Sequence, residues 1–175
     1  VSLSNDGEFI ISTSSGLFSL SSKKLAATKS NIKVNQKNDV HLKKFYEDPR
    51  SENINVNYFE SFDFTEKDFW YIESGLISKI NLDNGKRMSF KHNSRNPNTF
   101  PRSASCLVVY NESLWVGSSE TGLYEYDLEK LNLVKHYQFD INDSKSLQTS
   151  LITSLLVKDD NLWIGSGGDG LFLYS

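Results

Sequence analysis

A glycine-rich run near the end of the chain contains residue types that cradle phosphates in nucleotide-binding proteins. The run reads GSGGDG from Gly165 to Gly170 and lies between two apolar stretches. A phosphate loop requires a helix directly after it, because the N–H groups at the helix N-terminus hold the anion. The residues that follow, Leu171 to Tyr174, are large and apolar or aromatic, which indicates a strand. The run is therefore predicted to be a hairpin turn and not a nucleotide site.

The other residue types that carry out chemistry are dispersed along the chain. His41, His92 and His136 are far apart in sequence, so a metal site shared among them is not expected. Cys106 is the only cysteine, which rules out an internal disulfide, and it is predicted to be a small buried residue. The pair Asp159-Asp160 is assigned to a turn, where Asp is favoured. We predict no catalytic residues, no metal site, no cofactor and no enzymatic activity in this segment.

Length and composition indicate one β-rich domain. The 175 residues suffice for a hydrophobic core, and the aromatic content of 13% favours β structure. The formal net charge of −3 gives no reason to expect nucleic acid as a partner. No apolar run approaches the roughly 18 residues that a membrane-spanning helix needs, so no direct membrane insertion is predicted. The chain begins at Val1 without an initiating Met, and we expect it to be a piece of a longer protein.

A repeat of about 45 residues organises the chain. The stretch from Ser113 to Asp127 matches the stretch from Asn161 to Ser175 almost position by position. A third copy runs from Asp68 to Asp83, and a weaker one, in which Ile10 replaces the tryptophan, runs from Glu8 to Ser21. The repeated core residues are Trp70, Trp115, Trp163, Gly117, Gly165, Gly75, Gly122 and Gly170. A second marker, which precedes each tryptophan by 24 or 25 residues, is formed by Phe45, Phe90 and Phe139.

Each unit is expected to contain short strands joined by tight turns. The third unit shows four strand-like runs, around Cys106, Trp115, Tyr124 and His136, separated by turn residues. Several runs are apolar at consecutive positions, so both faces of each sheet are predicted to be buried. The tryptophans would fill the space between sheets, and the glycine two residues after Trp115 or Trp163 would leave room for a neighbour's side chain. The glycines at the hairpins, Gly75, Gly122 and Gly170, are expected to have positive φ.

A four-stranded antiparallel unit that repeats every 40–50 residues is typical of a propeller blade. The sequence therefore predicts an all-β fold, a β-propeller segment of about four four-stranded antiparallel blades. The approximate units are 1–44, 45–89, 90–138 and 139–175, the last without its outer strand. A β-sandwich, an open meander and a solenoid remain as alternatives, although they give no reason for the repeated tryptophans and glycines. The additional length between Ser21 and Phe45 indicates a longer outer hairpin or an inserted loop.

The best-preserved unit resembles the two-component-regulator propeller repeat. The resemblance lies in Leu162-Trp163-Ile164-Gly165-Ser166 and Gly170-Leu171-Phe172-Leu173-Tyr174, with a lead-in that begins at Phe139. Ile72 and Ser12 depart from the pattern, since they stand where the repeat has Gly. The resemblance implies the periplasmic sensor domain of a hybrid two-component system, whose histidine kinase lies elsewhere in the parent protein. It also implies a larger array of the seven-bladed type and an oligosaccharide or glycan fragment as ligand.

The loops on one face of such a propeller are where a ligand is expected to bind. The connectors between blades and one set of hairpins emerge there, above a rigid scaffold. The predicted ligand-binding residues on this face are Arg50, His92, Arg95, Arg102, Glu120 and Asp169. The expected partners are an oligosaccharide, the remaining blades of the parent chain and, through open blade faces, a second copy. Two alternatives stay open, a protein-interaction scaffold and a propeller-fold lyase, which would need convergent catalytic side chains.

Overall fold

The structure, a computed structural model, contains two compact units that divide between residues 58 and 59. In the first unit it describes four strands, β1 (Ser2–Leu3), β2 (Glu8–Thr13), β3 (Gly16–Ser21) and β4 (Lys43–Tyr46). In the second unit it describes residues 59–174 except 97 and 145.

The strands of the first unit form one antiparallel sheet, in which they pair in chain order. β2 and β3 make the hairpin that the weakest copy of the repeat predicts, with Ile10 opposite Ser19. β4 contains Phe45 and pairs with β3. The additional length at 22–42 lies outside the residues that the structure describes, so the hairpin or loop predicted there stays a prediction.

The strands of the second unit form three antiparallel sheets, each paired in chain order. The second sheet contains β5 (Ser61–Phe64), β6 (Asp68–Glu73), β7 (Leu76–Asn81) and β8 (Arg87–Phe90). The third sheet contains β9 (Ala104–Tyr110), β10 (Ser113–Ser118), β11 (Gly122–Asp127) and β12 (Leu133–Tyr137). The fourth sheet contains β13 (Ile152–Lys158), β14 (Asn161–Ser166) and β15 (Leu171–Tyr174). The described residues include no helix, and the predicted all-β fold with four-stranded antiparallel sheets is confirmed.

The turns follow the residue types at the strand ends. Asn111 and Glu112, between β9 and β10, have φ of 48° and 59°, and Asp159 and Asp160 have φ of 52° and 56°. Two consecutive left-handed residues are what a two-residue hairpin needs to match the twist of its strands. The hairpin glycines also have positive φ, 71° at Gly75, 93° at Gly122 and 85° at Gly170. The GSGGDG run connects β14 to β15 and is the predicted hairpin.

The sheets of the second unit pack face to face around the repeated tryptophans. Trp70 is fully buried in a cluster with Leu107 and Val116 of the third sheet. Trp115 is 2% exposed and lies in a second cluster with Ile152 and Ile164 of the fourth sheet. The prediction that the tryptophans fill the space between sheets is correct for these two.

Gly117 allows the third and fourth sheets to approach each other closely. A Cβ atom at this position would lie 2.5 Å from Cys106 Sγ and 2.7 Å from Ile152 Cγ2. Ile152 is fully buried on the adjacent strand β13. The expected space for a neighbour's side chain is therefore present at Gly117.

An aromatic residue on the fourth strand stacks on the tryptophan of the second strand in each complete sheet of this unit. The Trp70 and Phe90 ring centroids are 5.7 Å apart with 17° between the planes, and the Trp115 and Tyr137 centroids are 5.7 Å apart with 26°. The interpretation of Phe139 as the counterpart of Phe90 is therefore wrong. β12 ends at Tyr137, and Phe139 is 46% exposed in the following loop. The chain segment between the tryptophan and the aromatic residue that stacks on it is two residues longer in the third sheet than in the second. The regular spacing in the sequence therefore pointed to the wrong aromatic residue.

Trp163 has a different environment from the other two tryptophans. It is partly exposed, and its cross-strand neighbours Leu156 and Leu173 are 58% and 54% exposed. A Cβ atom on Gly165 would meet the Ser154 hydroxyl of its own sheet instead of a neighbouring sheet. Among the described residues of this unit, no further sheet covers this face, so the predicted inter-sheet role of Trp163 and Gly165 is not observed.

Candidate ligand-binding surface

Two connectors, residues 91–103 and 138–151, lead from one sheet of the second unit to the next. Each is closed by the same hydrogen bonds, although their residues differ. The N–H groups of Asn93 and Asp140 donate to the hydroxyls of Thr99 (2.8 Å) and Ser146 (3.0 Å), each six residues further on. The side-chain oxygens of Asn93 and Asp140 in turn accept from the N–H two residues on. Both connectors are therefore loops with a conformation fixed by local hydrogen bonds.

The hairpins at 119–121 and 167–170 lie against these connectors. Ser119 N–H donates to the Ser103 carbonyl at 3.0 Å, and Gly167 N–H donates to the Leu151 carbonyl at 3.1 Å. We call the surface formed by residues 91–103 and 138–151, apart from 97 and 145, together with residues 119–121 and 167–170, the connector face. Connectors and hairpins emerge at the same end of the sheets, as the propeller interpretation predicts.

Serine side chains hold the tips of both hairpins. Ser118 is fully buried, and its Oγ accepts from the N–H groups of Glu120 (3.1 Å) and Thr121 (3.2 Å). Ser166 Oγ accepts from Asp169 N–H at 3.0 Å in the next sheet. Thr121 and Asp169 therefore occupy matching positions on the hairpins of the third and fourth sheets. The side chains of Glu120 and Asp169 are exposed on this fixed backbone.

The structure brings part of the predicted ligand-binding set together. Arg102 is adjacent in sequence to Ser103, which the hairpin that carries Glu120 contacts, so these two residues belong to neighbouring loops. His92 lies in the same connector as Arg102, and its Nδ1–H donates to the Phe100 carbonyl at 2.8 Å. Arg95 is exposed in that connector. The described members of the set are all exposed on the connector face, and none lines either of the two grooves described below.

Asp169 joins this group through the second connector. Gly167 N–H of its hairpin donates to the Leu151 carbonyl, and Gly122 N–H, directly after the hairpin that carries Glu120, donates to the adjacent Ser150 carbonyl at 2.9 Å. Arg50 lies outside the residues that the structure describes. The predicted site therefore rests on neighbouring loops that carry His92, Arg95, Arg102, Glu120 and Asp169, and its ligand-binding role stays a prediction.

His136 contributes to the connector face in a way that the sequence did not indicate. Its Nε2–H donates to the Thr121 carbonyl at 2.6 Å, and its ring stacks on Tyr124 with the centroids 3.8 Å apart. Burial lowers the pKa of His136, and the hydrogen bond to Thr121 opposes this effect. The His136 side chain is partly buried and attaches the hairpin to β12.

A groove of about 580 Å³ lies between β12 and β15, beside the connector face. Its aromatic lining includes Tyr137, Phe172 and Tyr174, and its polar lining includes Asp140 and Lys135. Tyr137 stacks on Trp115, and its hydroxyl donates to Glu125 Oε2 at 3.1 Å. Burial raises the pKa of Tyr137, so the phenol is protonated at neutral pH. Only the packing of two sheets creates this groove, and no sequence motif indicates it.

A second groove, at the opposite end of the sheets, is rich in carboxylates that serve turns and ion pairs. Lys79 Nζ lies 2.9 Å from Asp68 Oδ2. Asp127 Oδ1 accepts from the N–H groups of Glu129 and Lys130, which closes the turn before β12. Among the described residues, no three His, Cys, Asp or Glu side chains are arranged to hold a metal ion.

Partly buried polar groups connect the first strands of the second and third sheets. Leu107 N–H donates to Ser61 Oγ at 3.0 Å, and Val109 N–H donates to Asp63 Oδ2 at 2.8 Å. Burial raises the pKa of Asp63 above its ordinary value of 3.8, although its hydrogen bonds to backbone act in the opposite direction. These side chains therefore align the second and third sheets.

The Cys106 thiol is 5% exposed, and burial raises its pKa to about 11. It is therefore protonated at neutral pH, which is unfavourable for nucleophilic chemistry. The prediction that Cys106 is a small buried residue is confirmed.

No protein-family model and no curated protein sequence matches this chain. Solved structures resemble it over 99% of its length. The extracellular domain of BT3049 from B. thetaiotaomicron, described as a putative hybrid two component system, has a TM-score of 0.61 and 14% identity, with 22% of that chain covered. The extracellular domain of BT4673 from the same organism, described in the same words, has a TM-score of 0.57 and 18% identity, with 19% covered. The computationally designed protein Ika8 has a TM-score of 0.55 and 10% identity, with 44% covered.

Because all the identities are below 25%, these likenesses show the fold alone. This chain spans about a fifth of the length of the two extracellular domains. The structural neighbours include extracellular domains of two-component systems, the class of protein that the repeat sequence resembles. The described part of the chain contains no helix with the length and apolar character that crossing a membrane requires.

Proposed function

We propose that this chain is part of an extracytoplasmic, periplasmic ligand-sensing module of a hybrid two-component signalling protein. Its sheets are about four blades of a larger propeller array of the seven-bladed type, and its ligand is a carbohydrate fragment. Two independent observations support the proposal, the repeat sequence and the likeness in fold to extracellular sensor domains. The histidine kinase would belong to another part of the parent protein.

The surface of the fourth sheet supports a larger array. In the second and third sheets, the face that carries the tryptophan is covered by the sheet that follows, with Trp70 and Trp115 buried. The fourth sheet presents the same face with Trp163 partly exposed and Leu156 and Leu173 more than half exposed. Exposed apolar patches of this kind mark interaction surfaces. A further sheet of the same pattern would bury them as the earlier sheets bury theirs.

The connector face supports ligand binding. Its loops are closed by internal hydrogen bonds, so the exposed polar side chains at Arg102 and Glu120 stand on backbone that is already ordered. Ordered loops lose little conformational entropy when a ligand binds. An arginine fork and a carboxylate offer several donors and acceptors to sugar hydroxyls. This preorganised pair of loops is the observation on which the proposed binding site depends.

The module is proposed to bind its ligand without chemical turnover. The carboxylates of the groove at the opposite end take part in turns and in the Asp68–Lys79 ion pair. Glycoside hydrolysis needs two carboxyl groups facing each other across a cleft. The hairpin carboxylates of the connector face, Glu120 and Asp169, stand on separate hairpins of the third and fourth sheets.

Isothermal titration calorimetry of the complete extracytoplasmic domain with a panel of oligosaccharides tests this function. We expect at least one sugar to bind without being cleaved, and both Arg102→Ala and Glu120→Gln to weaken it by about tenfold, or ~1.4 kcal/mol. Lys130→Ala, in the exposed turn before β12, is the matched control and should leave affinity unchanged. Sugar cleavage products, detected by chromatography of the titrated sample, would favour the propeller-fold lyase. Absence of sugar binding together with retention of a protein partner would favour the scaffold.

A further inference from the structure

The first connector of the connector face, residues 91–103, carries positive charge only. The sequence contains no Asp or Glu at 84–111, and this connector lies entirely within that stretch, in a chain whose formal net charge is −3. Its basic residues Lys91, Arg95 and Arg102 are all exposed. The connector therefore presents three cations to solvent and has no carboxylate of its own.

The three connector cations lack the carboxylate neighbours that other basic residues of the second unit have. Lys67, Lys130 and Lys158 are also exposed, but each adjoins a carboxylate in sequence. Lys79 and Arg87 form ion pairs with carboxylates of the neighbouring strand, at 2.9 Å and 3.0 Å. In the described part of the chain, none of the connector cations forms an ion pair. Their charge is therefore available to a ligand.

The first connector is a rigid support for this charge. Phe100 is 5% exposed and stacks on Tyr126 of β11, with the ring centroids 4.2 Å apart. The Tyr126 hydroxyl donates to the Thr99 carbonyl at 2.9 Å, and His92 Nδ1–H donates to the Phe100 carbonyl at 2.8 Å. Because this backbone is anchored to the core, little loop entropy is lost when an anion binds.

Arg102 lies where the second and third sheets meet on the connector face. A Cβ atom on Gly75, in the hairpin between β6 and β7, would lie 3.4 Å from the Arg102 carbonyl oxygen. The carbonyl of the next residue, Ser103, accepts from Ser119 N–H, in the hairpin that carries Glu120. Hairpins of both sheets therefore flank the backbone at Arg102, and a ligand bound there can contact both.

The carboxylates of the flanking hairpins do not neutralise Arg102. Glu60 Oε2 accepts from Gly75 N–H at 3.2 Å, so this group serves the hairpin between β6 and β7. Glu120 is exposed, and its own backbone N–H donates to Ser118 Oγ. A ligand that carries both an oxyanion and hydroxyl groups matches this arrangement, since arginine donates to oxyanions and a carboxylate accepts from hydroxyls.

We propose that the first connector binds the negatively charged group of an acidic oligosaccharide, a uronate carboxylate or a sulfate ester. Arg102 makes the main contact, because its guanidinium fork matches two oxygens of such a group. Arg95 and Lys91 add positive potential from the same loop, and sugar hydroxyls donate to Glu120. This proposal rests on the carbohydrate-sensing function proposed above and names the chemical class of the sugar.

Calorimetry of the complete extracytoplasmic domain with matched pairs of oligosaccharides provides the test. Oligogalacturonides are compared with their methyl esters, which lack the carboxylate charge. Sulfated chondroitin oligosaccharides are compared with their desulfated forms, which keep the uronate. We expect an acidic oligosaccharide to bind at least about tenfold more tightly than its less charged partner, with an affinity that falls as salt is added. The pair that shows the difference distinguishes a carboxylate from a sulfate.

Arg102→Gln separates recognition of charge from other contacts, because glutamine keeps hydrogen-bonding groups without the charge. We expect this variant to bind the acidic sugar about tenfold more weakly and its less charged partner nearly unchanged. Arg102→Lys should recover part of the loss, since it restores the charge without the fork. Lys130→Gln, the matched control in the turn before β12, should change neither affinity. If circular dichroism shows that Arg102→Gln is not folded, Arg95→Gln replaces it, with a smaller loss in the same direction.

The outcomes distinguish this proposal from the proposed function. Equal or weaker binding of the acidic members, or an affinity that salt does not lower, would overturn the proposal and leave carbohydrate sensing standing. Equal weakening of both partners by the variant would assign the arginine to hydroxyl contacts and overturn it as well. Polyaspartate that binds as tightly as the acidic sugar would show unspecific attraction of anions and overturn the sugar class. If no oligosaccharide binds, the proposed function fails and this inference fails with it.

Discussion

Replacement of each tryptophan by alanine measures which faces of the sheets are covered. Trp115 is 2% exposed between the third and fourth sheets and stacks on Tyr137. Removing a large aromatic residue from such a site costs about 3–5 kcal/mol, since the transfer free energy is lost and a cavity remains. Trp163 lies on the open face of the fourth sheet, so its removal leaves no enclosed cavity. Trp163→Ala is therefore expected to cost only about 1–2 kcal/mol, the loss of partial burial.

Urea unfolding followed by far-ultraviolet circular dichroism gives the two free energies. With a urea m-value of about 2 kcal/mol/M, Trp115→Ala should lower the midpoint by about 1.5–2.5 M and Trp163→Ala by less than about 1 M. Hydrogen exchange in β10 and β14 reports on the second unit separately, which matters because two compact units need not unfold together.

Equal losses for Trp115→Ala and Trp163→Ala in the unextended chain would refute this reasoning. Such a result would mean that Trp163 is covered in solution, for instance by a second copy. Sedimentation at several protein concentrations distinguishes that case, because a dimer interface would make the stability depend on concentration.

Three further predictions concern buried groups of the second unit. Gly117→Ala should lower the free energy of unfolding in urea by about 1–3 kcal/mol, because its methyl group would overlap Cys106 and Ile152. Gly165→Ala should cost less, because the exposed Ser154 hydroxyl that its methyl group would meet can rotate away. Equal costs for the two substitutions would contradict this reasoning. Native Cys106 should react with Ellman's reagent at least about a hundredfold more slowly than the denatured chain, because the thiol is buried and its pKa is raised; fast native labelling would show that the two sheets separate readily. The raised pKa of Asp63 means that the native state takes up a proton more readily than the unfolded chain, so its contribution to stability is largest below pH 3.8 and declines as the pH rises through the raised value. The stability difference between the wild type and Asp63→Asn, measured by urea unfolding from acid to neutral pH, should therefore move against the wild type as the pH rises, and the opposite slope would refute it.

The candidate ligand-binding residues show how far sequence alone extends to a site. The connector face was predictable, because hairpins and connectors alternate between the two ends of an antiparallel meander. The grouping of Arg102, Glu120 and Asp169 depended on which loop contacts which connector. The role of His136 was not predictable, because its partners are Thr121 in the preceding hairpin and Tyr124 on the neighbouring strand β11.

The sequence by itself determined the strands, the hairpins and the repeat. Turn residues such as Asn111-Glu112 and the apolar runs beside them are local signals, and neighbours in the chain suffice to interpret them. Trp115 and Trp163 occupy equivalent positions of the repeat, and their neighbours in the chain do not distinguish their environments. Only the tertiary structure decided that one is enclosed and the other lies on an open face, beside an unpaired strand. The reason is physical: burial and strand pairing depend on what lies across a face or an edge, and that is set by residues remote in sequence.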